Sequence, residues 1–597
     1  MRLRTFFPCL FLIAVLCSGV INSVSVSAAE RPNVVIVMTD DQGYGDLSCH
    51  GNPILKTPQI DALYEESVHL TDYHVAPTCS PTRCALLTGH WTNRTGVWHT
   101  IMGRSMLREN EITIGQLFKD GGYATGMFGK WHLGDNYPYR PEDRGFTEVL
   151  RHGGGGVGQT PDYWNNAYFD GHYWHNSKPV PVEGFCTDVF FDYAKRFIKT
   201  QKEAGKPFLA YIATNAPHGP MHSPVEFSEP YQDQNEGLAN FYGMIANIDE
   251  NVGQLRRFLD VEGLTENTIF IFTTDNGTSS GSRVFNAEMR GAKGSEYDGG
   301  HRVPFFLHWP KGGFTESRDV TPITAHVDIV PTLLEFCQVS APSDLKFDGV
   351  SIVPLLKETA TDWEDRILIT DSQRVKDPIK WRKSAVMTSD WRLINGEELY
   401  DIKNDMGQKS NVASGNPEVV ERLREFYEEW WKELEPTFEQ STAIYLGHPA
   451  DNPARLTSHD WITTQMTPWN QQQVRSAMNG PQNTGFWNVK ITEAGTYEIR
   501  LRRWPEEADE AIGAALPAGE DVPGVRPYRA HPGVAIIPVK VKLQIGDLVK
   551  TKTVNSDHKE VTFQLELKPE TTTMSAVFLT ENGEEYGAYY AYVEKKN

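Results

Sequence analysis

Between Arg31 and Pro310, short apolar runs alternate with stretches whose apolar residues recur at helical spacing. That alternation predicts βαβ units around a parallel core sheet. Residues 34–38 form a β-branched run, preceded by Pro32 and followed by Asp40-Asp41. Further strands are predicted at 123–128, at 208–213 behind Pro207, at 268–274 behind Asn267, and at 303–309 before Pro310. Residues 241–259 read as an amphipathic helix. The polar residues fall where chemistry would want them. Asp40 and Asp41 follow the first strand, Lys130 and His132 the second, His218 the third, and Asp275 and Asn276 the fourth. Open α/β sheets bind ligands outside the carboxyl ends of their strands. One such cluster would read as the start of a loop; four of these residue types together read as a site.

The pattern changes further on. Strands at 366–370, 384–387 and 391–394 precede a helix at 417–434, which predicts a small α+β subdomain over 362–435. From 436 to 597 the chain reads as mostly β, with strands at 486–491, 495–502, 539–545, 561–567 and 573–579. A β-sandwich or jelly-roll-like appendage is the expectation. The catalytic region would then be 30–361. Residues 1–29 have the charged start, apolar middle and small-residue end of a secretory signal peptide, so export to a periplasm, the exterior or a lysosome-like compartment is expected. The apolar run there is too short for a membrane span.

The 597 residues exceed what one core serves, and apolar (39%) and charged (23%) fractions are those of a globular protein. A net charge of -21 argues against nucleic-acid binding, and means that an anionic ligand would need a local basic pocket. Of the seven cysteines, Cys9 and Cys17 lie in the signal region. Cys49, Cys79, Cys84, Cys186 and Cys337 remain, an odd number that leaves room for one or two bridges and one thiol needing another explanation.

Cys79-Ser80-Pro81-Thr82-Arg83, followed by Leu86-Leu87-Thr88-Gly89, resembles the Cys-x-Pro-x-Arg signature of the sulfatase family. The resemblance continues through Gly129-Lys130-Trp131-His132-Leu133-Gly134, Asp40-Asp41, Asp275-Asn276-Gly277, and Arg290-Gly291-Ala292-Lys293-Gly294 running into Arg302-Val303-Pro304. It implies an alkaline-phosphatase-like α/β core with a mostly parallel or mixed central sheet. It also implies oxidation of Cys79 to formylglycine by a maturation enzyme, a transient partner. Asp40, Asp41, Asp275 and the Asn276 amide oxygen are an all-oxygen set suited to a hard cation. Calcium is what the resemblance implies, with the modified Cys79 as a further ligand; magnesium would satisfy the same donors. By the same carry-over, Arg83 holds the formylglycine oxyanion and Lys130 and Lys293 clamp sulfate oxygens. His132 takes a hydroxyl proton to expel sulfate, and His218 with Lys293 protonates the leaving oxygen.

His90 stands where the family often has Arg, and His301 where an apolar residue or Thr is usual, which makes both candidates to face the substrate. The loop 151–174, rich in glycine and aromatics, is a candidate to shape the pocket. The expected activity is hydrolysis of a sulfate ester, most naturally on a sulfated carbohydrate. Two alternatives stand beside it. One is a phosphodiester or phosphonate monoester hydrolase on the same formylglycine site. The other is a non-catalytic carbohydrate-binding protein, using the aromatic faces of Trp461, Trp469, Trp487 and Trp504.

Overall fold

The computed structural model describes residues 31–477 and 483–596; the predicted signal segment 1–29 lies outside the described residues. A ten-stranded sheet organises the first part of the chain. Its strands are β1 (Asn33–Thr39), β2 (Val68–Leu70), β3 (Ala124–Gly129), β4 (Glu148–Arg151), β5 (His172–His175), β6 (Lys178–Pro181), β7 (Phe208–Ala213), β8 (Thr268–Thr274), β9 (Phe305–His308) and β10 (Arg318–Val320). They lie in the order β10-β2-β9-β8-β1-β7-β3-β4-β5-β6. The middle five, β8-β1-β7-β3-β4, are parallel throughout, with register pairs such as Val35 to Ala210 and Val35 to Phe270. Antiparallel pairing enters at β9 and again at β5 and β6, so the sheet is mixed.

Both faces of this sheet are covered, which is why its central strands read as unbroken apolar runs. Successive β1 side chains alternate between two cores. Val34, Ile36 and Met38 join Cys84, Leu86 and Leu87 of the helix Cys79–Thr88 and Leu333 of Ile329–Cys337. Val35 and Val37 join Phe190 and Ile198 of Cys186–Glu203 and Ile248 and Val252 of Glu236–Val261. The helix bearing Cys79 is buried at every position.

Next in the chain is an antiparallel sheet of four strands, Leu368–Asp371, Ser384–Met387, Trp391–Ile394 and Glu398–Asp401, with the helix Pro417–Leu434 packed on it. Ile369, Val386 and Leu393 meet Leu423 and Tyr427 in their shared core. The last part is two sheets facing one another. Val489, Leu543 and Met574 of one share a core with Leu456, Ile499 and Val593 of the other. Met106, Tyr139 and Trp164 of the first region enter that same core, which fixes the β-rich part against the large sheet's loops. All five described cysteines are free. Cys84 donates to the Pro81 carbonyl and Cys186 to Asn215 Oδ1, so the room left for disulfides is not used. Among the described residues, no helix is long and apolar enough to cross a membrane.

Candidate active site

The carboxyl ends of β1, β3, β7 and β8 converge, and each releases a polar group there. At the end of β3, a Cβ on Gly129 would lie 2.0 Å from the Ala213 carbonyl oxygen, and its φ is +113°, so only glycine brings the chain this close. That approach lets the Lys130 amide donate to Ala213 O at 2.7 Å and turns the lysine into the site. Asp41, just beyond β1, holds φ +69°, and His132 holds φ +61°. Left-handed conformations at non-glycine residues cost energy and gather at functional sites.

Three acids meet three cations there, all largely removed from water. Lys130 Nζ donates to Asp40 Oδ2 at 2.5 Å, and Lys293 Nζ lies 2.5 Å from Asp41 Oδ1 and 2.7 Å from Oδ2. Arg83 donates twice to Asp275 Oδ2, at 3.1 and 2.7 Å, and once to the Lys130 carbonyl. Cys79, at the amino end of its helix, is 2% exposed, and Arg83 stands one turn later on the same helix. Donor atoms of Asp40, Cys79 and Asp275 lie within 4.8 Å of one another. Asp41 is outside that group of three; Lys293 holds its carboxylate, and the Asn276 amide also donates to it at 3.0 Å. Burial, with Asp40 beside it, pushes the Asp275 carboxyl up to about 7, and burial with Asp41 beside it raises that of Asp40. Against the cost of burial, Lys293, His218 and Lys130 hold Asp41 well below the usual carboxylate range.

The two histidines enter from opposite sides. His132 Nε2 faces the Thr100 carbonyl at 2.8 Å, so that nitrogen carries the proton, and buried Nδ1 has no partner. Burial, then Lys130 and His459, holds its pKa well below the ordinary imidazole value. His218 Nδ1 donates to Gly219 O at 2.6 Å, leaving Nε2 4.0 Å from Asp41 Oδ2. Burial and Lys293 push His218 down to about 3, whereas Asp41, against burial, keeps Lys293 protonated. The resting proton therefore sits on Lys293.

The family model described as Sulfatase matches residues 32–339, more than half of the chain and the whole of this constellation. The chain belongs to the sulfatase family. A second model, N-sulphoglucosamine sulphohydrolase, C-terminal, matches residues 292–433. Human arylsulfatase A is 27% identical over 457 residues, spanning 67% of this chain and 88% of that protein. Rat arylsulfatase G is 31% identical over 372 residues, 55% of this chain and 69% of that one. Among solved structures, Ps i-CgsB in complex with k-i-k-neocarrahexaose superposes with a TM-score of 0.62 at 26% identity, covering 67% of this chain and 93% of that one. The fold is thus the alkaline-phosphatase-like sulfatase fold, and the chain is a sulfuric ester hydrolase.

This sulfatase departs from the sequence expectations at two histidines. Neither His90 nor His301 faces the site. His90 bridges Glu111, at 2.6 Å, and the Lys346 carbonyl, at 2.7 Å, tying the end of the Cys79 helix to a later loop. His301 is wholly buried and pairs its Nδ1 with His74 Nδ1 at 2.9 Å, above an ionic cluster in which Arg392 bonds both Asp72 and Asp298. Thr100 and His459 carried no local signal, whereas Gly155 lies in the glycine-rich loop 151–174 that the sequence singled out. Thr100 orients His132 through a backbone carbonyl. Gly155 packs so closely that a Cβ would lie 2.1 Å from His132 Cε1. His459 comes from the β-rich region to within 6.1 Å of the His132 ring, with a buried, unpartnered Nε2. Of the four tryptophans considered as sugar platforms, Trp461, Trp487 and Trp504 are core residues at 1, 0 and 0% exposure; only Trp469 is partly exposed.

Proposed function

We propose that this sulfatase cleaves a sulfate ester of a sulfated carbohydrate, with Cys79 matured to formylglycine as its nucleophile. The observation that carries the reading is the charge arrangement around Cys79. Three carboxylates and three cations balance, so a dication entering with a singly charged sulfate ester and an ionised nucleophile at 79 would leave no net charge buried. Asp40, Asp41, Asp275 and Asn276 are the residues that would hold calcium, or magnesium. Their fit rests on the all-oxygen donor set and on two buried oxygens, Asp40 Oδ1 and Asn276 Oδ1, that accept no hydrogen bond among the described residues. When bound, the ion would polarise sulfate and favour the ionised nucleophile.

The chain's own groups do the rest. Arg83 places a fixed guanidinium beside the side chain at 79, suited to hold an oxyanion there. Lys130 and Lys293 would exchange part of their contact with Asp40 and Asp41 for sulfate oxygens. Lys293, protonated, with His218 beside it, is placed to deliver a proton to the leaving alcohol. His132, with Nδ1 unprotonated, accepts the proton whose removal expels sulfate. The carbohydrate part of the reading is supported by the similarity to i-CgsB, whose complex holds the oligosaccharide k-i-k-neocarrahexaose. Maturation by a formylglycine-generating enzyme and export through the predicted signal segment belong to the same reading.

Peptide mass spectrometry over Cys79, on protein from a host with the maturation machinery, tests it. The expected result is thiol-to-aldehyde conversion, lost together with hydrolysis in Cys79→Ala. Aryl sulfate should be cleaved far faster than aryl phosphate. An unmodified thiol in active protein would overturn the mechanism, and faster phosphate cleavage would overturn the substrate class.

A further inference from the structure

A cleft of about 970 Å³ borders the catalytic centre at His218 and runs between the large sheet's loops and the β-rich region. His218 forms part of one wall and Trp469 part of the other. Its size is that of a ligand site rather than of a packing defect. Arg83, Lys130 and Lys293 of the catalytic centre do not line it.

Four of the carboxamides that line it are oriented alike. Gln159 Oε1 accepts from the Gly155 amide at 2.7 Å, Asn470 Oδ1 from the Gln473 amide at 2.9 Å, and Gln472 Oε1 from the His531 amide at 3.0 Å. Asn165 Oδ1 accepts from Arg475 at 2.5 Å. Every oxygen is thus fixed by an obligate donor, which settles the amide orientation. Their NH2 groups have no hydrogen-bond partner among the described residues. Trp469 makes no ring contact among the described residues, while its backbone is pinned by Gln473 Oε1 and by Thr160. It is a part-exposed aromatic side chain on a fixed stretch of backbone.

The ionic lining selects by charge. Glu507 is paired with Arg455 and Asp521 with Arg529, but Asp170, Glu510 and Glu520 have no cationic partner among the described residues. Against these three stands Arg475 alone, already engaged with the Pro517 and His531 carbonyls and Asn165. Free amide donors suit hydroxyl or acetamido oxygens, free carboxylates accept from hydroxyl groups, and an aromatic face stacks on a sugar ring. A second sulfate or a uronate would meet repulsion here.

We propose that this cleft binds an uncharged sugar residue next to the sulfated one, stacked on Trp469 and held by the amides of Gln159, Asn165, Asn470 and Gln472. The substrate is then a glycan in which sulfated and neutral residues adjoin, not one charged at every position. The inference rests on the carbohydrate reading above.

The test uses matured full-length enzyme, an aryl sulfate, and a panel of sulfated disaccharides and oligosaccharides whose neighbouring residue is neutral, sulfated or a uronate. Neutral-neighbour members should exceed matched anionic ones in kcat/KM by at least about tenfold. In Trp469→Ala, the ratio of kcat/KM on the preferred glycan to that on aryl sulfate should fall about tenfold, chiefly through KM, with partial rescue by Trp469→Tyr. Glu510→Gln with Glu520→Gln should narrow the discrimination against anionic neighbours. Preference for anionic neighbours, or an unchanged ratio in Trp469→Ala, overturns the proposal. Cleavage of aryl sulfate with no glycan cleaved would instead overturn the carbohydrate reading itself.

Discussion

Replacing Gly155 by alanine would put a methyl carbon 2.1 Å from His132 Cε1 and 2.2 Å from Nε2, 1.3 Å short of the 3.4 Å at which ordinary contact begins. The neighbour in the way is an imidazole buried at 4% exposure, whose Nε2 already donates to Thr100 O, so it has little room to rotate. To relieve the overlap, the ring must move by roughly an ångström. Its unpartnered Nδ1, the proton acceptor of the proposed mechanism, is then displaced. A displacement of about 1 Å in a catalytic group is enough for roughly a 100-fold loss of rate. The stability cost is smaller, about 1 kcal/mol for the hydrogen bond to Thr100. We therefore expect Gly155→Ala to lower kcat on an aryl sulfate about 100-fold, with Cys79 conversion unchanged by mass spectrometry. Because the change acts through His132, the pair Gly155→Ala with His132→Ala should be no worse than His132→Ala alone. A kcat within twofold of the parent, or fully additive losses in the double variant, would refute the reasoning.

Three other expectations follow from the buried charges. Arg392→Met removes the cation that hydrogen-bonds both Asp72 and the wholly buried Asp298, leaving Arg302 at 3.7 and 3.9 Å from them, and should destabilise the fold by roughly 3 kcal/mol in urea denaturation; a loss below about 1 kcal/mol would show that the cluster relaxes onto Arg302. Against the cost of burial, Glu111 raises the pKa of His90 above its unfolded value, so this pair's contribution is complete below about pH 6.5 and fades as pH climbs through the folded value. His90→Gln should then cost more stability at about pH 5.5 than at about pH 8.5, and an equal cost at both would refute the assignment. Removing divalent ions should abolish hydrolysis and calcium should restore it. Asn276→Ala should weaken calcium binding by calorimetry, and undiminished binding would exclude that amide as a ligand.

The elements most legible in the sequence were those whose neighbours need not be known. Phe208–Ala213 and Thr268–Thr274 are bounded by breakers and buried on both faces, so their composition alone declares them. The helix Pro417–Leu434 carries its own start in Pro417 and a regular apolar stripe. The outer strands were not legible. His172–His175 is only four residues long and Lys178–Pro181, at the sheet edge, carries two prolines; pairing of the first with Glu148–Arg151, and of the second with the first, is what makes them strands. The same division runs through the site. Residue types at strand ends could be read, because a polar group after an apolar run is a local pattern. Their partners could not. That Lys293 holds Asp41, that Gly155 confines His132, and that His459 approaches it from the β-rich region are contacts across 252, 23 and 327 positions of chain. Where a histidine was read by position alone, at His90 and His301, the nearest charge or carbonyl had already claimed it.

The acidic surface and the anionic substrate are reconciled by where the cations stand. A chain with a net charge of -21 has no long-range attraction for sulfate. At physiological ionic strength, exposed charges are screened beyond roughly 8 Å, whereas groups removed from water are screened far less. Arg83 and Lys130 are fully buried, so in the proposed mechanism they would act on the sulfate at contact range, each beside the carboxylate it already pairs with. Selection by charge then falls to the cleft outside, where unpaired acids meet whatever adjoins the sulfated residue. On the reading proposed above, the pocket would attract one anion and the approach repel a second, directing the enzyme to glycans sulfated at isolated positions.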